Sequence, residues 1–125
     1  MNTIKTNQVL ALVAIAVLAG GMVQYAAAKS PVLLAPLSGS GDDKGKAKFK
    51  VDDGVKKLEV EVQNLKPNTV YSVIAKGQSV GTITTNVFGN AGKTFLGLSV
   101  PSIVAGDNIS IKLGTTLVLS GNFVA

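Results

Sequence analysis

An Asp-Gly pair, Asp53-Gly54, lies between two stretches of the chain in which apolar and charged residues alternate. This pair favours a two-residue type I′ turn, because both central residues of that turn need a positive φ. Alternation with a period of two places the apolar side chains on one face of a β-ribbon and the charges on the other. The pattern therefore predicts a hairpin over residues 45–65, in which Asp52 is opposite Val55.

The predicted turn also sets the register of the whole hairpin. A slip of one residue would place Phe49 opposite Lys57, so the apolar pattern and the turn chemistry agree on one pairing. One opposed pair, Lys50 with Lys57, joins like charges at an exposed site. The other expected pairs are apolar inside and oppositely charged outside: Phe49 with Leu58, Ala47 with Val60, Lys48 with Glu59, and Lys46 with Glu61.

The rest of the chain after residue 30 consists of short apolar stretches separated by Gly, Pro, Asn and Asp. No window there has the apolar spacing of an amphipathic helix. We therefore expect an all-β fold in residues 29–125. The expected architecture is a single antiparallel β-sandwich of seven to eight strands, similar to immunoglobulin and fibronectin type III domains.

Two local predictions concern the second half of this domain. Gly77-Gln78 is expected to form the turn that follows the strand containing Tyr71. In the last strand, Leu117, Leu119 and Phe123 are expected to share the buried face.

The first 28 residues have the regions of a secretory signal. Residues 9–19 are an unbroken apolar run, and small residues at Ala26 and Ala28 suit cleavage before Lys29. The alternative is a retained membrane anchor, because residues 9–28 approach the roughly 20 residues that a bilayer-spanning helix needs. Under both interpretations the remaining domain is exported, and we expect a secreted or cell-surface protein.

The charge of the chain comes from lysine and carboxylates alone. It has no arginine, and its formal net charge is +5. Base readout and bidentate phosphate contacts favour arginine, so nucleic acid is not an expected partner. The lysines of the hairpin could instead contact an anionic polysaccharide: Lys46, Lys48, Lys50 and Lys57.

Catalytic chemistry has few candidates in this sequence. The chain contains no histidine and no cysteine, which removes disulfides, the common nucleophile–base pairs and the common transition-metal sites. Glu59 and Glu61 face lysines across the predicted hairpin, and a neighbouring ammonium group favours the charged carboxylate rather than the protonated acid that acid catalysis needs. The pairs Asp42-Asp43 and Asp52-Asp53, with Asp107, lack the spacing of a calcium loop. We expect no enzyme activity, no cofactor and no metal site.

A turn motif follows the hairpin. The spacing Leu65-x-Pro67-x-Thr69-x-Tyr71 resembles the tyrosine corner of fibronectin type III domains and related Greek-key sandwiches. The resemblance implies that the Tyr71 hydroxyl bonds to the backbone just upstream. The stretch from this corner into the following loop is also similar to small exported sandwich modules such as chordin-repeat-like domains. Those modules have histidines that are missing here, so only the four corner residues take a role from the resemblance.

The segment before the hairpin is apolar and extended, and prolines at Pro31 and Pro36 favour either an edge position or two short strand pieces. Its default partner is the sheet of its own domain. Alternatively, it could insert into a neighbouring subunit as a donated strand. The residues that would make the contact are Val32, Leu33, Leu34 and Leu37.

These features favour a non-catalytic exported module with a structural, adhesive or assembly role. Its partners would be further copies of the chain or another cell-surface protein. Binding of an anionic glycan or surface polymer through the lysine face is the alternative. A membrane partner is expected only if the N-terminal segment is retained.

Overall fold

The computed structural model describes residues 31–125, and the predicted signal or anchor in residues 1–28 lies outside them. The described chain folds into antiparallel strands with one short 3-10 turn, Gly97–Ser99, so the predicted all-β class is confirmed. Within this range, no helix has the length and apolarity to cross a membrane. The strands are β1 Leu33–Ser38, β2 Lys44–Asp52, β3 Val55–Gln63, β4 Val70–Ala75, β5 Gln78–Thr84, β6 Ala91–Leu96, β7 Asn108–Leu113 and β8 Thr116–Asn122.

The eight strands form one sheet in the order β5-β4-β7-β8-β1-β2-β3-β6. The sheet is strongly curved and nearly closed, like a barrel, so that the two edge strands, β5 and β6, approach each other. We expected two separate sheets, but β1 and β8 join the halves through the pair Ser38–Ser120 and a bridge between Leu34 and Val124. The continuous pairing establishes an antiparallel β fold and leaves the sandwich assignment unconfirmed.

The predicted hairpin is present with the predicted register. Asp53 and Gly54 have φ values of 49° and 78°, as a type I′ turn requires. Asp52 pairs with Val55, and every pair expected from the turn follows in order along β2 and β3. On the outer face, the Nζ–Oε1 distance is 3.8 Å for Lys46–Glu61 and 3.9 Å for Lys48–Glu59.

A single apolar cluster fills the interior of the curved sheet, with contributions from both halves. Alternation supplies most of it, since most inward residues of the strands are apolar. Burying one such large side chain stabilises the fold by about 1.5–3 kcal/mol relative to leaving it exposed. The largest fully buried side chains are Tyr71, Phe123, Leu58, Ile109 and Ile111.

Side chains close the gap between the edge strands β5 and β6. Lys93 lies on β6 opposite Val60, and its ammonium group donates a hydrogen bond to the carbonyl of Thr82 on β5, at 3.0 Å. The Phe95 ring lies so close to Gly81 that a Cβ there would overlap it. A lysine at an inward position of an edge strand opposes pairing with another chain, which protects this edge.

The two local predictions for the second half are wrong. The β4–β5 turn is Lys76-Gly77, with φ values of 55° and 75°, so Gln78 already belongs to β5. Leu117 is exposed, because the β7–β8 register shifts by one residue and the extra residue, Val118, has no partner. A bulge of this kind reverses the face of every residue on one side of it.

The strands run between two ends of the sheet. We call the proximal end the one that carries the Asp53-Gly54 turn, the start of β1 and the Lys76-Gly77 turn. The distal end carries the corner at residues 64–69 and the loop at residues 85–90. The chain therefore enters the described domain at the proximal end.

Candidate functional site

The corner after β3 contains the hydrogen bond implied by the resemblance. The backbone N–H of Lys66 donates to the Tyr71 hydroxyl at 3.0 Å. Leu65 and Tyr71 are buried, and Thr69 closes the turn by donating from its hydroxyl to the carbonyl of Pro67, at 2.8 Å. The four residues of the motif, Leu65, Pro67, Thr69 and Tyr71, thus lie together in one turn at the distal end.

Thr85 joins this corner to the end of β5. Its side-chain hydroxyl donates to the carbonyl of Lys66 at 2.6 Å and accepts from the N–H of Thr69 at 2.9 Å. The residue is only 3% exposed, which is unusual for a threonine in this fold. Sequence analysis missed it, because nothing near Thr85 shows that its partners lie 16 to 19 residues earlier.

Asn86 organises the loop that follows. Its side-chain oxygen accepts the N–H groups of Phe88 at 2.9 Å and of Asn90 at 3.1 Å. Its backbone carbonyl accepts the N–H groups of Asn68 and Gly89, both at 3.0 Å. Side-chain bonds of Asn to nearby backbone favour tight turns, so one residue determines most of the shape of the loop.

Gly89 seats this loop against the corner. Its φ is +78°, in the region that favours glycine, and a Cβ there would lie 2.0 Å from the carbonyl oxygen of Leu65. The carbonyl of Gly89 in turn accepts the N–H of Leu65 at 3.0 Å. The loop and the corner therefore form one rigid unit, which we call the distal platform (residues 64–69 and 85–90).

The distal platform holds two apolar side chains in solvent. Phe88 is 76% exposed and Val87 is 62% exposed, although the backbone around them is tightly hydrogen-bonded. A nearby shallow groove of about 330 Å³ opens to solvent between Gln63, Asn86 and Asn90. Its polar lining comes from amides and from Glu61. The hydrogen-bonded loop thus holds an aromatic ring in solvent.

The lysines proposed to bind a polyanion already have carboxylate neighbours. Lys46 and Lys48 lie beside glutamates, as described above, while Lys50 and Lys57 both reach Asp52, at 3.3 and 3.5 Å. The shared carboxylate offsets the repulsion of this like-charge pair. Hydrogen bonding and charge from Lys50, with a smaller contribution from Lys57, lower the pKa of Asp52 below its ordinary 3.8.

The proposed donor segment pairs with its own chain in this structure. β1 runs antiparallel to β2 from Leu33 opposite Phe49 to Ser38 opposite Lys44. Leu33 and Leu37 are buried in the core, whereas Val32 and Leu34 face solvent. β1 lies between β2 and β8 rather than at an edge, but the sparse β8 pairing accommodates Pro36, which has no N–H to donate.

The acidic residues do not assemble into a metal site in the part of the chain that the structure describes. Asp43 accepts the N–H of Gly41 at 2.9 Å, and Asp107 accepts the N–H of Val104 at 2.8 Å. Both carboxylates thus stabilise turns.

Comparison with protein-family models and with curated proteins gives no match to this chain.

Proposed function

We propose that this chain is a non-catalytic, exported module with a structural, adhesive or assembly role at the cell surface. The observation that carries the proposal is the exposed Phe88 ring on a loop whose backbone is held by Asn86 and Gly89. Partners would be another copy of the chain or another cell-surface protein.

The rigidity of the distal platform supports this role because it lowers the loss of conformational entropy on binding. A flexible loop loses conformational entropy when a partner fixes it, whereas an ordered loop has already lost it on folding. Aromatic side chains are enriched among residues that dominate protein interfaces. Phe88 therefore offers a preorganised apolar contact with Val87 beside it.

The position of this contact also suits an assembly module. The platform lies at the end of the sheet opposite to the one where the chain enters the domain. A residue in that position remains accessible whatever holds the proximal end.

Photo-crosslinking in the producing cells tests the proposal. Benzoylphenylalanine replaces Phe88 in the full chain, and the matched control places it at Leu117, which is 56% exposed at the same distal end. We expect one discrete adduct from position 88 that persists at high salt, and none from position 117. The absence of an adduct at 88, or equal adducts at both positions, would refute the proposal.

Anionic glycan binding is the second candidate. It is favoured by Lys50 and Lys57, which are adjacent on the outer hairpin face and exceed by one positive charge the single carboxylate between them. This candidate requires retention on an acidic polysaccharide column that falls with salt and is lost in Lys50→Glu/Lys57→Glu. Retention unchanged by those substitutions would exclude the lysine face.

We also propose that the fold is structurally similar to a β-sandwich. Sparse pairing between β1 and β8 divides the sheet into two groups of four strands, which share one core. The hydrogen bond from Lys66 to Tyr71 also matches the corner of immunoglobulin-like sandwiches.

A further inference from the structure

The proximal end of the sheet carries several exposed aliphatic side chains. Leu98 is the extreme case, at 96% exposed on the 3-10 turn that follows β6. Leu96 lies two residues before it, and β3 begins nearby with the exposed Val55. We call six exposed aliphatic residues at this end the proximal cluster: Val32, Val55, Leu96, Leu98, Val104 and Val124.

Lysines lie directly behind part of this cluster. Leu96 pairs with Lys57 across β6 and β3, and Lys57 pairs with Lys50 across the hairpin. Asp52 is the carboxylate between the two ammonium groups, so this group of three side chains retains one positive charge. In this arrangement, aliphatic side chains lie at the end of the sheet and lysines lie farther from that end. The arrangement matches the interface of a bilayer, where acyl chains lie beneath charged headgroups.

The connection to the N-terminal apolar run sets a distance limit. Only residues 29–32 separate that run, residues 9–28, from the first residue of β1, Leu33. An extended chain spans at most about 3.6 Å per residue, so this link reaches roughly 14 Å. If the run occupies a bilayer, the start of β1 must lie in or just above the headgroup layer.

We propose that residues 9–28 are retained as an anchor and that the proximal cluster rests on the surface of the same bilayer. The occupant of this apolar surface is thus a lipid interface. This inference goes beyond the proposed function, because it concerns the end of the sheet opposite to Phe88. The proposed lipid contact explains why Leu98 is exposed rather than packed in the core of the domain.

The sequence offers a clean spectroscopic test, since it contains no tryptophan. Leu98→Trp and Leu117→Trp each introduce one reporter, at the proximal and distal ends respectively. The full chain with either substitution is reconstituted into phosphatidylcholine–phosphatidylglycerol vesicles that carry brominated acyl chains, which quench tryptophan on contact. We expect the reporter at position 98 to lose most of its emission and shift to shorter wavelength, while the reporter at position 117 keeps its emission.

Three fluorescence results would overturn the inference. Equal quenching at both positions would show contact without orientation, and no quenching at position 98 would show that the proximal end is away from lipid. A blue shift at position 98 that depends on protein concentration and not on lipid would assign the surface to a second copy. Intact mass of the protein from the producing cells gives an independent check: a chain that begins at Lys29 would exclude the anchor, whereas crosslinking at Phe88 would be unaffected.

Discussion

Replacement of Thr85 by valine removes a hydroxyl and leaves the shape of the side chain almost unchanged. The two shortest bonds of that hydroxyl in the distal platform are one to the carbonyl of Lys66 at 2.6 Å and one from the N–H of Thr69 at 2.9 Å. Each bond contributes about 1 kcal/mol net, and a polar group left without a partner costs a similar amount or more. Because both partners lie at the surface of the corner, where water can partly replace the hydroxyl, we expect a loss of about 2 kcal/mol.

Urea unfolding of the full chain, followed by far-ultraviolet circular dichroism, measures this loss. With a slope of about 2 kcal/mol per M, the midpoint for Thr85→Val should fall by about 1 M. The matched control is Thr84→Val at the end of β5, one residue before Thr85, where the side chain faces solvent, so its midpoint should stay nearly constant. If the two variants have equal midpoints, Thr85 does not hold the corner as described.

A double-mutant cycle with Tyr71→Phe sharpens the same prediction. The Tyr71 hydroxyl accepts the N–H of Lys66, and the Thr85 hydroxyl binds its carbonyl. Both residues hold one backbone residue in place, so their effects should not add, with a coupling of about 0.5–1 kcal/mol. Strict additivity would mean that the two bonds act independently.

Three further predictions follow from other sites. Gly89→Ala should lower the urea midpoint more than Gly114→Ala does. Both glycines have a positive φ, but only at Gly89 would the new Cβ meet backbone atoms. Equal losses would contradict the contact between the loop and the corner. Leu37→Ala should lower the free energy of unfolding by about 2–4 kcal/mol, whereas Leu34→Ala on the same strand should lower it by less than about 0.5 kcal/mol. Comparable losses would argue against β1 packing in its own domain. Since two lysines lower the pKa of Asp52 in the folded state, its contribution to stability is present above its unfolded pKa and is lost as the pH falls through the folded value. Asp52→Asn should remove that part of the acid dependence, and an NMR titration of Asp52 that shows a pKa at or above 3.8 would contradict it.

Some of this molecule could be predicted from local sequence patterns, and the hairpin shows why. Its register depends on a turn and on two flanking stretches that are neighbours in the chain, so alternation and turn chemistry were sufficient. The Tyr71 hydrogen bond was accessible for the same reason, since its partner, Lys66, lies five residues away.

The features that depend on distant segments could not be predicted in this way. A one-residue shift between β7 and β8 exposes Leu117, and alternation along β8 alone contains no sign of it. This error arises because a register shift against the neighbouring strand changes the face on which a side chain lies.

What the sequence determined by itself is the all-β class, the hairpin with its register and the corner at Tyr71. Each of these follows from interactions between residues close together in the chain. Only the tertiary structure decided that Thr85 and Gly89 join the loop to the corner, that Phe88 is exposed on a rigid platform, and that the aliphatic residues of the proximal cluster collect at one end. The physical reason is that these arrangements depend on backbone groups brought together by the curvature and strand order of the sheet, which no local pattern encodes.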